Sequence, residues 1–171
     1  MPPLPEQQTR PVYWYNFLVT APKFWTCSSG DWVIIFQSDT VLCSSSPYRV
    51  ADFMRPDVDF VGAPWTGWNR SGSNGGLSLR RRSAMLDMTL SRPLLLNDLN
   101  EDAYFVNTLI ERKRGGRTGL LPFEEASKFS VQNFCNGPTF GVHQIHRQNW
   151  AERYQCLEHC PEAGMLFSRT T

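Results

Sequence analysis

The sequence predicts an α/β domain, a mixed sheet flanked by helices. Three observations carry that expectation. Two short apolar runs rich in strand-forming residues, Val33-Ile34-Ile35-Phe36 and the stretch from Val58 to Val61, end at turn residues. The segment from about 99 to 113 places Leu99, Ala103, Val106 and Ile110 at helical spacing. Strand and helix signals then alternate along the chain, as layered α/β domains require.

In order, residues 1 to 12 are rich in proline and polar groups and form a loose lead-in. A single domain is expected over 13–160, and 161–171 is read as a tail. Residues 13 to 25, YWYNFLVTAPKFW, read as a short helix and a turn broken by Pro22. Ser28-Ser29-Gly30-Asp31 is a turn signal, and the run from 32 to 37 reads as a buried strand. A second strand is expected at Val58–Val61, before Gly62-Ala63-Pro64-Trp65. Residues 66 to 76, TGWNRSGSNGG, read as a long polar loop. A short strand at 77–80 and a helix over 82–91 follow, the helix stopped by Pro93. Asp98 and Glu101 resemble a capping box for the helix at 99–113, which Gly115-Gly116 ends. A shorter helix near 123–128, an extended stretch over 129–143 and a polar helix over about 147–158 complete the reading.

Composition bounds the function. The 171 residues are 41% hydrophobic and 19% charged, a globular balance rather than a disordered one. The net charge of +1 offers no general attraction to nucleic acid or an anionic membrane, so neither is an expected partner. No stretch approaches the length of a membrane-spanning helix. MPPLPEQQTR has no apolar core, so the chain as written is expected to stay in the cytoplasm. The Golgi or another secretory compartment is the expectation if an N-terminal anchor is missing. Asn69-Arg70-Ser71 is a glycosylation sequon that matters only there. The five cysteines, an odd and scattered set, do not read as a disulfide framework. Aromatic content is 13%, which serves packing or lines a flat-ligand or sugar surface.

Candidate chemistry gathers at a few positions. Asp39 follows a strand end, where ligands collect in open α/β sheets, and a carboxylate there holds a hard cation or simply forms a turn. Ser38 and Thr40 flank it with hydroxyls. Glu101 suits the helix cap, whereas Asp102 is not needed for the cap and is freer to face a cleft as a base. His143, after Gly141-Val142, is a metal ligand or a hydrogen-bonded core imidazole. His143, His146, His159, Cys156 and Cys160 raise structural zinc, but their spacing fits no standard finger. Arg80 directly follows the glycine-rich stretch and is a better anion ligand than the run Arg112-Lys113-Arg114, which complements a helix C-terminus.

Read together, Tyr15-Asn16, Phe24-Trp25, IIFQSDTVLC, DFVGAPW, NGGLSLR, NEDAYF and FGVH resemble a glycosyltransferase-like family of unknown function (domain of unknown function 5672). The resemblance covers about residues 13 to 146, and its GAPW and NGGLSLR blocks are the specific ones. That family is in turn similar to metal-dependent glycosyltransferases of the GT-A fold. The resemblance implies a GT-A-like (nucleotide-diphospho-sugar transferase-like) fold. It also implies sugar transfer from a nucleotide-sugar donor to a glycan or other hydroxyl acceptor, and a divalent cofactor, Mn or Mg. Asp39 and His143 match the metal positions, and Asp102 matches the base of many inverting enzymes. Gln37, Trp65, Asn74, Gly75, Gly76, Arg80 and Glu101 fall where donor or acceptor would be bound. Gln37-Ser38-Asp39 keeps only the second acid of the Asp-x-Asp motif. An Asp in a first helical turn should also be a weakened base. Few residues precede Val33, so the nucleotide-binding half is expected to be missing, making the domain incomplete at its N-terminus. The rival expectation is a non-catalytic remnant that binds glycan or protein through Trp65 and Trp68, or a homodimer that hides the bare face.

Overall fold

Two helices, α1 (Pro11–Thr20) and α2 (Pro22–Thr26), lead into the sheet, with Pro22 at a first helical position where its missing N–H costs nothing. The computed structural model describes residues 11–66, 73–94, 100–113, 116–145 and 149–169. The lead-in up to residue 10, the Asn69 sequon, Trp68, Asp98 and His146 lie outside the described residues.

The result is a mixed α/β fold with two small sheets. The first orders β1 (Trp32–Phe36), β4 (Ser73–Arg81) and β3 (Phe60–Pro64) as β1-β4-β3, all antiparallel. The second orders β2 (Thr40–Leu42), β6 (Gly141–His143) and β5 (Ser130–Val131) as β2-β6-β5; β2 and β6 are antiparallel, and β5 and β6 parallel. The chain changes sheets at Gln37-Ser38-Asp39, between β1 and β2.

Helices α3 (Arg82–Ser91) and α4 (Glu101–Arg112) pack with α1 and α2 on one apolar cluster, which includes Trp25, Phe60, Met85, Tyr104 and Phe105. Leu77 and Leu79, alternate residues of β4, enter a second cluster with Val58, Val61 and Phe129 of α5 (Phe123–Phe129). Ser78 and Arg80 take the alternate positions, and Arg80 lies over the Phe60 and Phe105 rings at 4.5 and 5.3 Å.

Several expectations change. Among the described strands β1 lies at a sheet edge rather than buried, with Ile34 41% and Phe36 53% exposed. The second strand starts at Phe60, because Asp59 and Phe60 both donate their N–H to Gly119 O. Ser73 to Gly76 belong to β4 and not to a loop. Only two short strands, β5 and β6, interrupt the stretch expected to be extended. Helix α4 begins at Glu101 with Asn100 at its N-cap, so no capping box forms there; Glu101 N–H donates to Asn16 Oδ1 instead.

The C-terminal segment departs furthest. Residues 161–169 form a 3-10 helix after α6 (Trp150–His159), with Ala163 and Leu166 buried, and are not a tail. Cys43 bonds to Cys160 and Cys135 to Cys156, leaving Cys27 as the free thiol. This corrects the reading of scattered cysteines: tertiary folding unites positions 117 residues apart in sequence. It also removes Cys156 and Cys160 as zinc thiolates, because both sulfurs are already bonded.

Candidate functional site

The site is assembled at the junction of the two sheets. Gln37 N–H still donates to Gly76 O, holding the end of β1 against β4. Three residues later Thr40 pairs with His143 in the second sheet. Asp39 is therefore held in the turn between them, and its carbonyl accepts from Gln144 N–H. Gln144 takes φ 55°, a left-handed conformation that ends β6 just beyond His143.

This register brings one carboxylate and one imidazole together. His143 Nε2 is 3.3 Å from Asp39 Oδ1 and 3.1 Å from Gln37 Oε1. The imidazole is buried, whereas the Asp39 side chain keeps 20% exposure. Gly76 explains how the ring reaches this place: a Cβ there would collide with all of His143 Cε1, Nε2 and Cδ2. The same holds at Gly75, where a Cβ would strike Glu101 Oε1 and Arg80 Nη2. Both glycines give up side-chain volume to site groups.

A buried polar cluster stands beside this pair. Arg80, with no exposed surface, donates from Nη1 to Glu101 Oε2 at 2.6 Å and from Nη2 to Oε1 at 3.0 Å. Its Nε donates to Ser78 Oγ, and both Ser78 Oγ and Arg80 Nη2 donate to Gly75 O. Gly75 N–H in turn donates to Asp102 Oδ2 at 3.2 Å, and Ala103 N–H donates to Oδ1 at 2.7 Å. The Gly75 peptide thus couples the ion pair to the second acid.

Electrostatics distinguish these groups. Burial, and then the neighbouring Glu101 charge, push the Asp102 carboxyl above the usual carboxylate range, outweighing the two backbone N–H donors and Arg80. The expected weakening of an Asp at a helix start is thereby reversed, because desolvation outweighs the helix terminus. Burial works against the Arg80 charge, but the Glu101 carboxylate prevails and holds it above its ordinary value. Tyr15 is pushed up to about 12 by burial and by Glu101, so its phenol stays protonated.

A cavity of about 550 Å3 opens here, lined by Tyr15, Gln37, Asn74, Asp102, Gln132 and His143 among others. The volume suits a small-molecule ligand. Of the residues singled out from sequence, Gln37, Asn74, Gly76, Glu101, Asp102 and His143 reach this cavity. Asp39 reaches its edge through His143, while Arg80 and Gly75 sit directly behind it. Trp65 packs instead against the first apolar cluster. Gln132 and Gln144, whose side chains bond each other at 2.9 Å, had no signal in the sequence. Tyr15 and Asn16 carried one, as a short block without an assigned role.

The donor set bears on a divalent cation. Among the described residues no three His, Cys, Asp or Glu side chains gather as a complete ligand set. Asp39 and His143 do offer one oxygen and one nitrogen, with the Gln37 amide oxygen beside them. Adjacent ligands of an octahedral ion at about 2.1 Å stand roughly 3.0 Å apart, close to the Asp39–His143 spacing. The carboxylate and amide oxygens suit Mg or Mn, whereas the imidazole nitrogen also suits Zn, Fe or Ni. Asp39 and His143 thus fit two neighbouring ligand positions on such an ion.

No helix among the described residues is long and apolar enough to cross a membrane. No curated protein and no solved structure matches the chain. One family model does, over residues 3–143, ending on the histidine that faces Asp39. Because that match covers most of the chain and takes in both sheets, the chain belongs to the family described as "Protein of unknown function (DUF5672)".

Proposed function

We propose that this domain is a metal-dependent, inverting glycosyltransferase with a GT-A-like fold, moving a sugar from a nucleotide-sugar donor to an acceptor hydroxyl. One observation carries the reading. A buried carboxyl whose proton affinity is raised, Asp102, lines the same cavity as His143, which pairs with Asp39 at 3.3 Å. A base and a cation-binding pair therefore face one space.

Asp39 and His143 would hold the divalent ion, with Gln37 as a polar neighbour. When bound, the ion supplies neutralisation of the diphosphate leaving group. Asp102 accepts the proton of the acceptor hydroxyl as that oxygen attacks the anomeric carbon. The new C–O bond forms as the bond to the diphosphate breaks, and the electron pair leaves with the phosphate. One displacement inverts the carbon. A raised pKa makes Asp102 a better proton acceptor than an exposed aspartate. Gly75 N–H holds Oδ2 of Asp102, and the Arg80–Glu101 pair holds Gly75. Asn74 and Tyr15 offer polar groups to the sugar hydroxyls.

A second reading has its own support. β1 has β4 on one side only among the described strands, and Ile34 and Phe36 are exposed. A bare apolar edge is what a non-catalytic remnant binding glycan or protein, or a homodimer, would present. The two disulfides favour an oxidising secretory compartment such as the Golgi over the cytoplasm.

Calorimetric titration with UDP, with and without manganese, tests the proposal on wild type and Asp39→Ala. Manganese-dependent binding that the variant loses is expected. A folded wild-type chain that binds no UDP at any manganese concentration refutes the enzyme reading and leaves the remnant.

A further inference from the structure

A second cavity, of about 420 Å3, lies where α5 meets the loop between β5 and β6. Tyr48, Phe123 and Phe134 give it aromatic walls, and Glu124, Lys128 and Asn136 stand around them. The Phe123 and Phe134 rings stack, with centroids 5.2 Å apart and planes 15° from parallel. Both are anchored. Phe134 precedes Cys135, whose disulfide to Cys156 fastens the loop to α6. Phe123 opens α5, whose Ala126 and Phe129 are buried in the core. The rings are therefore presented without a large ordering cost on binding.

The two cavities share a wall. Val131 and Phe134 line this one, while Gln132 between them lines the cavity of Asp102 and His143. A ligand longer than one ring has a short route from one to the other.

We propose that this second cavity is a binding subsite for one hexose unit of an oligosaccharide. A pyranose ring has a flat face of polarised C–H groups and an edge of hydroxyls. The C–H face matches the electron-rich face of an aromatic ring. The hydroxyl edge needs both donors and acceptors: Lys128 donates, Glu124 accepts, and Asn136 does both. A wholly apolar guest would make no use of these groups, which stand at exposed positions around the cavity. An anion would meet Glu124 as well as Lys128. The inference rests on this cavity's geometry and not on the catalytic reading of its neighbour.

Saturation-transfer NMR on the full chain tests it, with cellotriose, maltotriose and chitotriose at millimolar concentration as probes. At least one should show transfer to its ring C–H protons. Phe134→Ala should weaken that binding tenfold or more, while keeping manganese-dependent UDP binding. Asp39→Ala and Asp102→Asn should leave the trisaccharide signal unchanged. If Phe134→Ala does not fold, Asn136→Trp, at an exposed loop position, fills the cavity and should abolish the signal. A folded wild type silent towards all three sugars overturns the proposal. So does a full signal in Asn136→Trp, or a signal lost in the Asp39 or Asp102 variants.

Discussion

Replacing Arg80 by methionine probes the buried framework behind the cavity. The guanidinium has no exposed surface, and its partner Glu101 is 3% exposed. Methionine fills much of the space between Phe60 and Phe105 but leaves the Glu101 carboxylate without its cation. Removing one member of a buried ion pair costs about 3–5 kcal/mol, because the remaining charge stays desolvated. For a chain of this size each kcal/mol lowers Tm by about 2–4 °C, so a fall of roughly 6–20 °C is expected at pH 7.5. The double variant Arg80→Met, Glu101→Gln should recover part of the loss at pH 7.5. Thermal melts followed by circular dichroism at pH 7.5 read both effects. A single-variant loss below about 1 kcal/mol, or a double variant worse than the single, would refute the argument that this pair is mutually required.

Other expectations follow from the same geometry. Gly76→Ala puts a methyl group into the His143 ring, which should cost about 1–3 kcal/mol and displace the imidazole from Asp39, weakening manganese-dependent UDP binding measured by calorimetry. Carbon-13 NMR should show the Asp102 carboxyl titrating above the usual carboxylate range. Because that folded pKa is raised, the stability it contributes is present at low pH and is lost as pH rises through it. Turnover under the proposed mechanism should rise over the same window, as the base loses its proton. Non-reducing peptide mapping should find Cys43–Cys160 and Cys135–Cys156 linked and Cys27 free. Their sequence separations of 117 and 21 residues set the scale of the effect. Opening Cys43–Cys160 should cost up to about 5 kcal/mol, and opening the shorter loop about 3 kcal/mol, read as a drop in Tm on adding reductant.

How much was legible in the sequence depends on the range of each signal. Helix α3 over 82–91 needs only local information, a helix-forming run closed by Pro93, and it lies where expected. Helix α4 differs by two residues at its start and one at its end; Asn16, distant in sequence, accepts the first N–H, and Arg80 holds the Glu101 side chain. Strand β1 carries enough β-branched residues to be recognised, but an apolar run cannot say whether its edge is covered. Asn74-Gly75-Gly76 misled because polar residues and glycines ordinarily mark loops. Here the glycines are strand residues made small by what packs on them, His143 and Glu101, and neither partner is close in sequence.

The sequence by itself determined the α/β class, most element positions and the residue types able to do chemistry, because propensity and hydrophobic period act over a few neighbouring residues. The tertiary structure alone decided that Asp39 meets His143, that Asp102 is buried enough to hold its proton more tightly, and that four cysteines pair. Each depends on strand register and burial, which arise only when segments far apart in the chain are packed against one another.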